Sequence, residues 1–358
     1  MNAPRSTPPG SRPTPRERSE QIEHQILSER AVFADASKGR ERPEPPDDIR
    51  TVFQRDRDRI VHSKAFRRLK HKTQVFMAPK GDHYRVRLTH TLDVSQIART
   101  CARALRLNED LTEAIALGHD LGHTPFGHLG EQALTPFLEQ PFRHNEQSLR
   151  IVEHLENEGR GLNLTWEVRD GIVHHPWSMP EPSTLEAQVV RFADRIAYIN
   201  HDIDDAVRAG VLDLRELPAT SVAVLGNTHS DRIDTLVSDL ITTSEDADRV
   251  GLSAPVFDAM DRLRDFMFAE VYLREGAQAE QEKAVALIRD LYRHFMAHPD
   301  QLPPEYHRMP DELSVRVADY ISGMTDRFAL RTYERLFLPR GWLEDSDGAW
   351  PSDPDLET

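Results

Sequence analysis

The sequence predicts an all-α protein, and three observations support this prediction. Apolar residues recur at spacings of three and four through most of residues 49–339, which is the period of an amphipathic helix. The alternating patterns that are typical of strands are scarce in this region. Glycine-rich phosphate loops of the P-loop or Rossmann type do not occur in the sequence. We therefore expect one compact helical domain with a C-terminal helical extension.

Helix positions follow from apolar periodicity and from capping residues. Over residues 84–106, Val94 and Ala98 belong to an apolar stripe at helical spacing. Asn108 caps the next helix, which is expected to end near Gly122 because Pro125 prevents simple continuation. Further helices are predicted over residues 19–32, 129–139, 144–158, 165–175, 184–208, 229–244, 255–274, 279–297 and 311–336, with a less regular connector over 211–228.

Polar segments that contain proline flank this helical region. The first residues are rich in Pro, Ser and Arg, so we expect a disordered N-terminal arm over residues 1–27. The last residues are acidic and contain proline, so residues 339–358 are expected to form a frayed tail. The main domain is then predicted over residues 28–338, with a core over about 50–210 and the helical extension over about 211–338.

Composition indicates a cytoplasmic protein without a membrane segment. The sequence has no run of about 18 apolar residues. Its N-terminal residues lack the apolar region of a signal peptide. Cys101 is the single cysteine, which excludes an intrachain disulfide and fits a reducing compartment.

Charge is distributed unevenly along the chain. The formal net charge of −15 argues against a dominant nucleic-acid surface. Residues 55–72 nevertheless hold eight Lys and Arg residues against only Asp56 and Asp58. A local anion site and an ordinary solvated helix face both account for this basic strip. The strip is also compatible with single-stranded DNA as an effector.

One short segment combines metal ligands with acid–base groups. Residues 119 to 131 read His-Asp-Leu-Gly-His-Thr-Pro-Phe-Gly-His-Leu-Gly-Glu. The segment places His119 beside Asp120, and His123, His128 and Glu131 follow within one short stretch. Nitrogen and oxygen ligands at this density predict a metal site with acid–base groups next to it. A histidine-rich turn at the surface is the structural alternative.

The long helix predicted over 184–208 carries acidic residues on an otherwise apolar sequence. Asp194, Tyr198 and Asp202 follow one another at intervals of four and share one helix face. A carboxylate in such an apolar helix needs a partner, because burying a lone charge is costly. Either a metal ion or a neighbouring cation, Arg191 or Arg195, would supply this partner.

Two imidazoles and two carboxylates form the predicted metal set, namely His90, His119, Asp120 and Asp194. Taken alone, His90 is more readily explained as a structural hydrogen-bond donor than as a metal ligand. A mixed nitrogen and oxygen set with room for water suits Mn²⁺, Fe²⁺, Co²⁺ or Mg²⁺ better than a closed zinc site, which usually draws on cysteine. An open position would let the ion activate water and neutralise charge on a phosphate.

These residues carry a resemblance to a known family. The pattern of His90, His119-Asp120 and Asp194 resembles the signature of HD-domain metal-dependent phosphohydrolases. It is most similar to their deoxyguanosinetriphosphate (dGTP) triphosphohydrolase-like branch, over roughly residues 28–338. The matching segments are residues 53–60, 66–76, 87–93, 118–131, 191–198 and 319–326.

The resemblance implies an HD-domain helical bundle with a C-terminal helical extension and a specific reaction. A deoxynucleoside triphosphate (dNTP) would be hydrolysed at the α-phosphorus, which gives a deoxynucleoside and inorganic triphosphate. Each site would bind one divalent metal ion through the predicted four ligands. The resemblance also implies a homo-oligomer, either a hexamer or a tetramer.

The resemblance assigns roles around the phosphates as well. His128 would be the acid–base group near the α-phosphate, and Glu131 would orient it, since the two are neighbours on a helix that starts there. His123 would contact phosphate or assist the acid–base step. Arg87 would hold the α-phosphate, and Lys72 would bind substrate, although a solvated surface position accounts for Lys72 equally well.

Other positions resemble those that line the sugar. Gln74, Tyr198 and Asp202 would contact the deoxyribose and its 3′-hydroxyl, and Tyr198 would disfavour a 2′-hydroxyl sterically. An ordinary half-buried tyrosine is the alternative for Tyr198. The residues that select guanine are not evident, and the segment around His144 matches the family only loosely.

Two other functions fit the same residues. A phosphodiesterase or nucleotidase acting on another phosphorylated nucleotide would use His123 and His144 as ligands of a second metal. A non-catalytic dNTP sensor would bind nucleotide without turnover. A sensor does not need the pair of His128 and Glu131, so replacing His128 separates it from an enzyme.

Overall fold

The computed structural model describes residues 12–74, 85–272 and 275–339, and it is helical throughout these ranges. Within them, strand-like pairing is confined to isolated bridges between Arg40 and Thr165 and between Thr73 and Val86. The helices are α1 Pro15–Ile26, α2 Val52–Val61, α3 Lys64–Arg68, α4 Arg87–Ala104, α5 Glu109–Gly118, α6 His128–Leu134, α7 His144–Arg150, α8 Glu156–Gly159, α9 Trp166–His174, α10 Leu185–Arg208, α11 Ala219–Leu225, α12 His229–Ser244, α13 Ala254–Met267, α14 Glu275–Ala297, α15 Pro304–His307, α16 Leu313–Ser322 and α17 Asp326–Phe337.

The all-α prediction is confirmed, and most predicted helices are present. The helix predicted over 229–244 has the same bounds as α12. The segment predicted as one helix over 311–336 is instead two helices, α16 and α17, because the chain leaves the helix at Gly323 and Thr325 caps a new one. The predicted connector over 211–228 contains α11.

Helix α1 overlaps the helix predicted over 19–32 but begins and ends earlier, and the disorder predicted over 1–27 is wrong for Pro15–Ile26. Helix α1 begins with a capping box, in which the Thr14 hydroxyl accepts from the Glu17 amide at 3.2 Å and the Glu17 carboxylate accepts from the Thr14 amide at 2.8 Å. The Glu23 carboxylate then accepts from the Ala34 amide at 2.7 Å. Low apolar content indicates disorder, but composition carries no information about these stabilising hydrogen bonds.

The main apolar core surrounds α5 and α10. Helix α5 is buried along most of its length, and its small residues Ala114, Ala116 and Gly118 let α2, α4 and α9 approach closely. Helix α10 packs against α4, α5 and α9. The C-terminal end of α5 therefore faces the middle of α10, where the predicted metal ligands are located.

A second apolar cluster joins the C-terminal helices to α6. Leu291 and Phe295 of α14 and Ile321 of α16 pack together with Leu134 of α6. By contrast, residues of α11, α12 and α13 belong to the main core. The predicted extension over 211–338 therefore divides its apolar residues between two clusters.

The first three arginines of the basic strip are paired with carboxylates. Arg55 and Arg59 both donate to Glu44, at 2.8 Å and 2.5 Å. Arg57 lies 3.2 Å from both Asp110 and Glu113. These ion pairs favour the structural interpretation of the arginines over a free anion-binding surface. Among the described residues, none of the helices combines the length and the apolar character that crossing a membrane requires.

Glu186 links the start of α10 to two other segments and generates a prediction about stability. Its Oε1 accepts from the amides of Val32 at 2.9 Å and Asn108 at 3.1 Å, while Oε2 is buried without a hydrogen-bond partner. Burial raises the pKa of Glu186 from 4.5 to about 7. The folded protein therefore retains this proton over a pH range in which the unfolded chain loses it, and the associated stability is lost as pH rises towards 7.

We predict that Glu186→Gln removes this pH dependence. Between about pH 5 and about pH 8, wild type should lose about 2 to 3 kcal/mol more unfolding free energy than the variant does. Denaturant unfolding at both pH values measures the difference. The exposed Glu139 provides a control, because Glu139→Gln should behave as wild type. Equal pH dependence in all three proteins would contradict the prediction.

Candidate metal centre and active site

Three predicted ligands from different helices meet at one point. His90 lies on α4, His119 follows α5 directly, and Asp194 lies in the middle of α10. The Oδ1 atom of Asp194 is 3.2 Å from Nε2 of His90 and 3.8 Å from Nε2 of His119. One ligand atom from each residue lies within 4.8 Å of the others. Segments distant in the chain thus form a single cluster.

Asp120, the fourth predicted ligand, borders this cluster. Its Oδ1 is 3.3 Å from Nε2 of His119, and its Oδ2 is 3.6 Å from Nε2 of His90. The same Oδ2 accepts from the Arg87 guanidinium at 2.9 Å. Asp120 is only 3 % exposed, so its charge is balanced by these neighbours and not by solvent.

The hydrogen bonds of His119 test whether a cation fits. Its Nδ1 lies 2.7 Å from the carbonyl oxygen of Ala116, so Nδ1 carries the proton and Nε2 has the lone pair. This Nε2 is buried without a hydrogen-bond partner and lies near oxygens of Asp120 and Asp194. A positive charge between this lone pair and the two carboxylates would stabilise all three groups. The donor set therefore fits a divalent ion bound through nitrogen and oxygen.

The two carboxylates are ionised. Burial alone would raise the pKa of Asp194, but the adjacent imidazoles of His90 and His119 hold it well below its usual range. The pKa of Asp120 is also lowered against the effect of burial, by His119, His123 and Arg87. Two ionised carboxylates and two imidazoles are a suitable environment for a divalent cation.

The arginine alternative for Asp194 is not realised. Arg195 donates to Asp261 at 3.3 Å, and its guanidinium lies 4.0 Å from the ring centroid of Trp177. Arg191 donates to backbone carbonyl oxygens of residues 179 and 180. Both arginines are engaged elsewhere, and Asp194 faces the imidazoles.

A series of polar side chains begins at Nδ1 of His90. Nδ1 of His90 lies 2.9 Å from Nε2 of His201, and Nδ1 of His201 lies 2.8 Å from Oδ1 of Asp202. Tyr272 donates its hydroxyl hydrogen to the other oxygen of Asp202. If His90 donates its Nδ1 proton to Nε2 of His201, Nε2 of His90 keeps its lone pair for a metal. Such supporting partners orient metal-binding histidines.

A second group of side chains surrounds Glu131. Its Oε1 lies 2.8 Å from Nδ1 of His128, 3.1 Å from Nδ1 of His144 and 3.4 Å from Nδ1 of His123. The rings of His123 and His144 are stacked, with centroids 3.9 Å apart. The His128 side chain is 75 % exposed, whereas that of His123 is 3 % exposed. His128 is the member of this group that solvent reaches most freely.

Electrostatics distinguish the two predicted catalytic histidines. Burial and the nearby charge of Arg87 lower the pKa of His123 to about 3, so this imidazole is neutral at pH 7. Although burial opposes it, contacts with His144, His123 and His128 hold the pKa of Glu131 well below its usual range. A carboxylate bonded to an exposed imidazole favours proton transfer by His128.

Two glycines allow the backbone to approach closely at this site. A Cβ atom on Gly122 would lie 2.2 Å from the Ser148 amide nitrogen and 2.3 Å from the carbonyl oxygen of His144. The segment after Asp120 can therefore lie directly against α7. Gly127 has φ of +59°, and a Cβ there would lie 2.8 Å from an amino group of Arg87. The loop before His128 can consequently contact Arg87.

The predicted sugar-contacting residues occupy different environments. Tyr198 is half-buried one turn after Asp194, and burial raises its pKa to about 12. Asp202 is buried and bonded to Tyr272. Gln74 is half-buried, and its side-chain oxygen has no hydrogen-bond partner among the described residues. Residues 75–84, which include part of the matching segment at 66–76, lie outside the described ranges.

Lys72, predicted to bind substrate or to lie on a solvated surface, is buried, and its ammonium group is engaged within the protein. Lys72 is 2 % exposed, and its Nζ donates to the carbonyl oxygens of His123 and Ser322. Burial and the charge of Arg68 lower its pKa to about 7. In this conformation Lys72 connects the His123 loop to α16, which is a structural role.

Three histidines of the site were missed or underestimated in the sequence. His144 begins α7 and contacts Glu131, His175 follows α9, and His201 supports His90. His144 stands out only by a loose match to the family. His201 lies on the same helix as Asp194, seven residues later, and this spacing was the available signal.

Comparisons with known families agree with this geometry. A model of the HD domain matches residues 87–199, which include His90, His119, Asp120 and Asp194. A model described as a phosphohydrolase-associated domain matches residues 250–335. The fold and the site thus define an HD-domain phosphohydrolase.

Full-length relatives identify the family more closely. A deoxyguanosinetriphosphate triphosphohydrolase-like protein of Caldanaerobacter subterraneus subsp. tengcongensis is 56 % identical over 333 residues, which cover 92 % of this chain and 98 % of that protein. A protein with the same description from Desulfatibacillum aliphaticivorans is 49 % identical over 91 % of this chain and 99 % of its own length. The chain belongs to the dGTP triphosphohydrolase-like family.

The support of His90 by His201 yields a prediction. Replacing His201 with Ala should weaken the binding of Mn²⁺ by about 10- to 100-fold, because His90 loses the partner that orients its ring. Isothermal titration calorimetry measures the change. His154→Ala, at a side chain that is 59 % exposed, serves as the control and should bind as wild type. Unchanged affinity in a folded His201→Ala variant would refute the supporting role.

Proposed function

We propose that this protein hydrolyses dNTPs, dGTP among them, to a deoxynucleoside and inorganic triphosphate. Water would attack the α-phosphorus, the bond from that phosphorus to the 5′-oxygen would break, and the 5′-oxygen would take a proton. The observation that carries this proposal is the convergence of His90, His119, Asp120 and Asp194 next to the group around Glu131. Relatives described as dGTP triphosphohydrolase-like support the choice of substrate class.

The four ligands would hold one divalent ion, Mn²⁺, Co²⁺, Fe²⁺ or Mg²⁺. When bound, such an ion lowers the pKa of a nearby water and offsets charge that develops on phosphate. Arg87 reaches the same cluster, since one of its amino groups bonds Asp120. Its Nε has no hydrogen-bond partner, which leaves a donor for an α-phosphate oxygen.

His128 would act as the acid–base group. Its Nδ1 lies 2.8 Å from Glu131, so Nε2 is the ring atom available to substrate. Glu131 sets the direction of the ring and stabilises a proton on it. His123 would assist by position, because its neutral ring stacks on His144 and bridges Asp120 and Glu131.

Sugar recognition would use the polar face of α10. Asp202 would accept a hydrogen bond from the 3′-hydroxyl, and Tyr198 would stand against the 2′-carbon and disfavour a ribonucleotide. Gln74 has an unpartnered oxygen that would complete the contact with the sugar. A site that is built to bind a hydroxyl discriminates strongly against substrates that lack it.

Further parts of the proposal concern assembly and location. We propose a cytoplasmic homo-oligomer, a hexamer or tetramer, in keeping with the family resemblance. Apolar side chains that would suit subunit contacts include Ile26, Phe268 and Leu338, all at least half exposed. A single-stranded DNA effector would bind those cations of the basic strip that lack acidic neighbours, such as the exposed Lys64, Arg67 and Lys70.

The product of hydrolysis tests the proposed reaction. The purified protein is incubated with dATP, dCTP, dGTP, dTTP or GTP in the presence of Mn²⁺, Co²⁺ or Mg²⁺, and the products are separated by anion exchange. We expect triphosphate and deoxynucleoside from at least one dNTP and none from GTP. Asp194→Asn should abolish the activity, and this variant controls for contaminating phosphatases.

Other products would point to the competing functions. Release of phosphate or pyrophosphate would replace the triphosphohydrolase with a phosphodiesterase or nucleotidase. Binding of dNTP without any product would instead indicate a sensor.

Replacing His128 tests its acid–base role. We expect His128→Ala to lower kcat on the order of 10²-fold, because proton transfer is lost, while the metal content stays the same. Steady-state kinetics and elemental analysis of the same preparation measure both quantities. His154→Ala is the matched surface control. An unchanged kcat would remove His128 from the mechanism.

A further inference from the structure

The turn that precedes His128 has a strained backbone. Phe126 has φ of +61°, and Gly127 has φ of +59°. Glycine adopts this left-handed conformation readily, but a bulky residue such as phenylalanine rarely does, because its Cβ atom crowds the backbone. A conformation of this kind persists only where the surrounding structure holds it. The contacts of Phe126 therefore bear on the position of His128, which begins α6 two residues later.

The conformation of this turn sets the start of α6. Gly127 occupies the position before the helix and has no side chain with which to cap it. Thr124 closes the turn instead, because its hydroxyl donates to the carbonyl oxygen of Gly127 at 2.6 Å and its carbonyl oxygen accepts from the Gly127 amide at 3.2 Å. A change in the backbone at Phe126 would thus move the first residue of α6, His128.

A carboxylate from the C-terminal helices contacts the strained residue. Oδ1 of Asp326, the first residue of α17, accepts from the Phe126 amide at 3.0 Å. Oδ2 of Asp326 accepts from the amide of Thr73 at 2.9 Å and from the Thr73 hydroxyl at 2.6 Å. Asp326 is only 4 % exposed, so water competes little for these bonds. Thr73 thus fixes the orientation of a carboxylate whose other oxygen holds Phe126.

The ring of Phe126 is held independently of its amide. Phe126 is 9 % exposed and belongs to the second apolar cluster, together with Leu134 of α6 and Ile321 of α16. Packing of the ring determines where Phe126 lies, whereas the hydrogen bond to Asp326 determines the direction of its amide. Together these contacts account for a left-handed conformation at a residue that would otherwise avoid it.

We propose that Asp326 is a positioning residue, which holds Phe126 in its left-handed conformation and thereby orients His128 towards the substrate. The proposal rests on the proposed acid–base role of His128. The side chain of His128 is 75 % exposed, so packing contributes little to its orientation and the backbone before it contributes more. Asp326 also ends the matching segment at residues 319–326, for which the reaction itself provides no role.

Asp239 provides a matched control. Its carboxylate accepts from the amide and the hydroxyl of Ser253, both at 2.7 Å, in the same way that Asp326 accepts from Thr73. Asp239 lies on α12, and Ser253 precedes α13. Neither residue belongs to the proposed metal, catalytic or substrate contacts. Asp239→Asn therefore measures what the same chemical change does to the fold alone.

Kinetics of Asp326→Asn test the positioning role. This variant keeps the shape of the side chain but has one oxygen, and the two donors of Thr73 favour that oxygen, so an NH₂ group faces the Phe126 amide. We expect kcat for triphosphate release to fall about 10- to 100-fold, because His128 is displaced. The KM and the manganese content should stay as in wild type, and Asp239→Asn should keep the wild-type kcat. Steady-state kinetics and elemental analysis measure these quantities.

Hydrogen–deuterium exchange tests the same hydrogen bond without an activity measurement. Exchange is followed by mass spectrometry in peptides that contain Phe126 and Gly127. We expect these peptides to exchange about 10-fold faster in Asp326→Asn than in wild type, because a bond from an amide to a carboxylate is lost. Asp239→Asn should leave their exchange unchanged.

The outcomes separate the positioning role from the proposed function. An unchanged kcat in folded Asp326→Asn overturns the positioning role, and so does unchanged exchange at Phe126 and Gly127. An equal loss of kcat in Asp239→Asn would reduce the effect to general destabilisation and overturn it too. If Asp326→Asn does not fold, Asp326→Glu, which shifts the carboxylate by one methylene, is judged by the same criteria. Wild type without triphosphate release would contradict the proposed function, and exchange would still decide whether Asp326 holds the turn.

Discussion

Burial of two ionised carboxylates among imidazoles is the constraint on which the rest of the site depends. Asp120 and Asp194 lie at the junction of α4, α5 and α10, where solvent cannot compensate their charge. Unpaired, each would be strongly unfavourable. His90, His119 and Arg87 supply partial compensation, and the proposed divalent cation would complete it. Helix α5 packs against both α4 and α10, and this packing brings the ligands of the three helices together.

The C-terminal helices contribute to the same site. Asp319 on α16 accepts from Gln147 and Arg150 of α7, the helix that begins with His144. Asp326 at the start of α17 accepts from the amides of Thr73 and Phe126. Together with the contact from Lys72 to the carbonyl of residue 322, these bonds hold the loops around the metal centre. The region matched by the phosphohydrolase-associated domain is thus part of the scaffold of the active site.

Local sequence signals account for the helices and for the metal ligands. Periodicity and capping predict α12 and α10 within a residue or two, because these helices bury a regular apolar face. Most of the candidate site can be predicted from the segment between His119 and Glu131, because these residues are close together in the sequence. His175 and Lys72 could not be assigned in this way. Their roles follow from contacts with Ile172, His144 and the loop at His123, which only the folded chain brings together.

The location of a bound ion tests the central claim most directly. Crystals grown with Mn²⁺ would be measured at the manganese absorption edge, where anomalous scattering locates the metal. The account predicts a peak within coordinating distance of His90, His119, Asp120 and Asp194 together. A peak that excludes Asp194, or one bound only by residues outside this group, would contradict it.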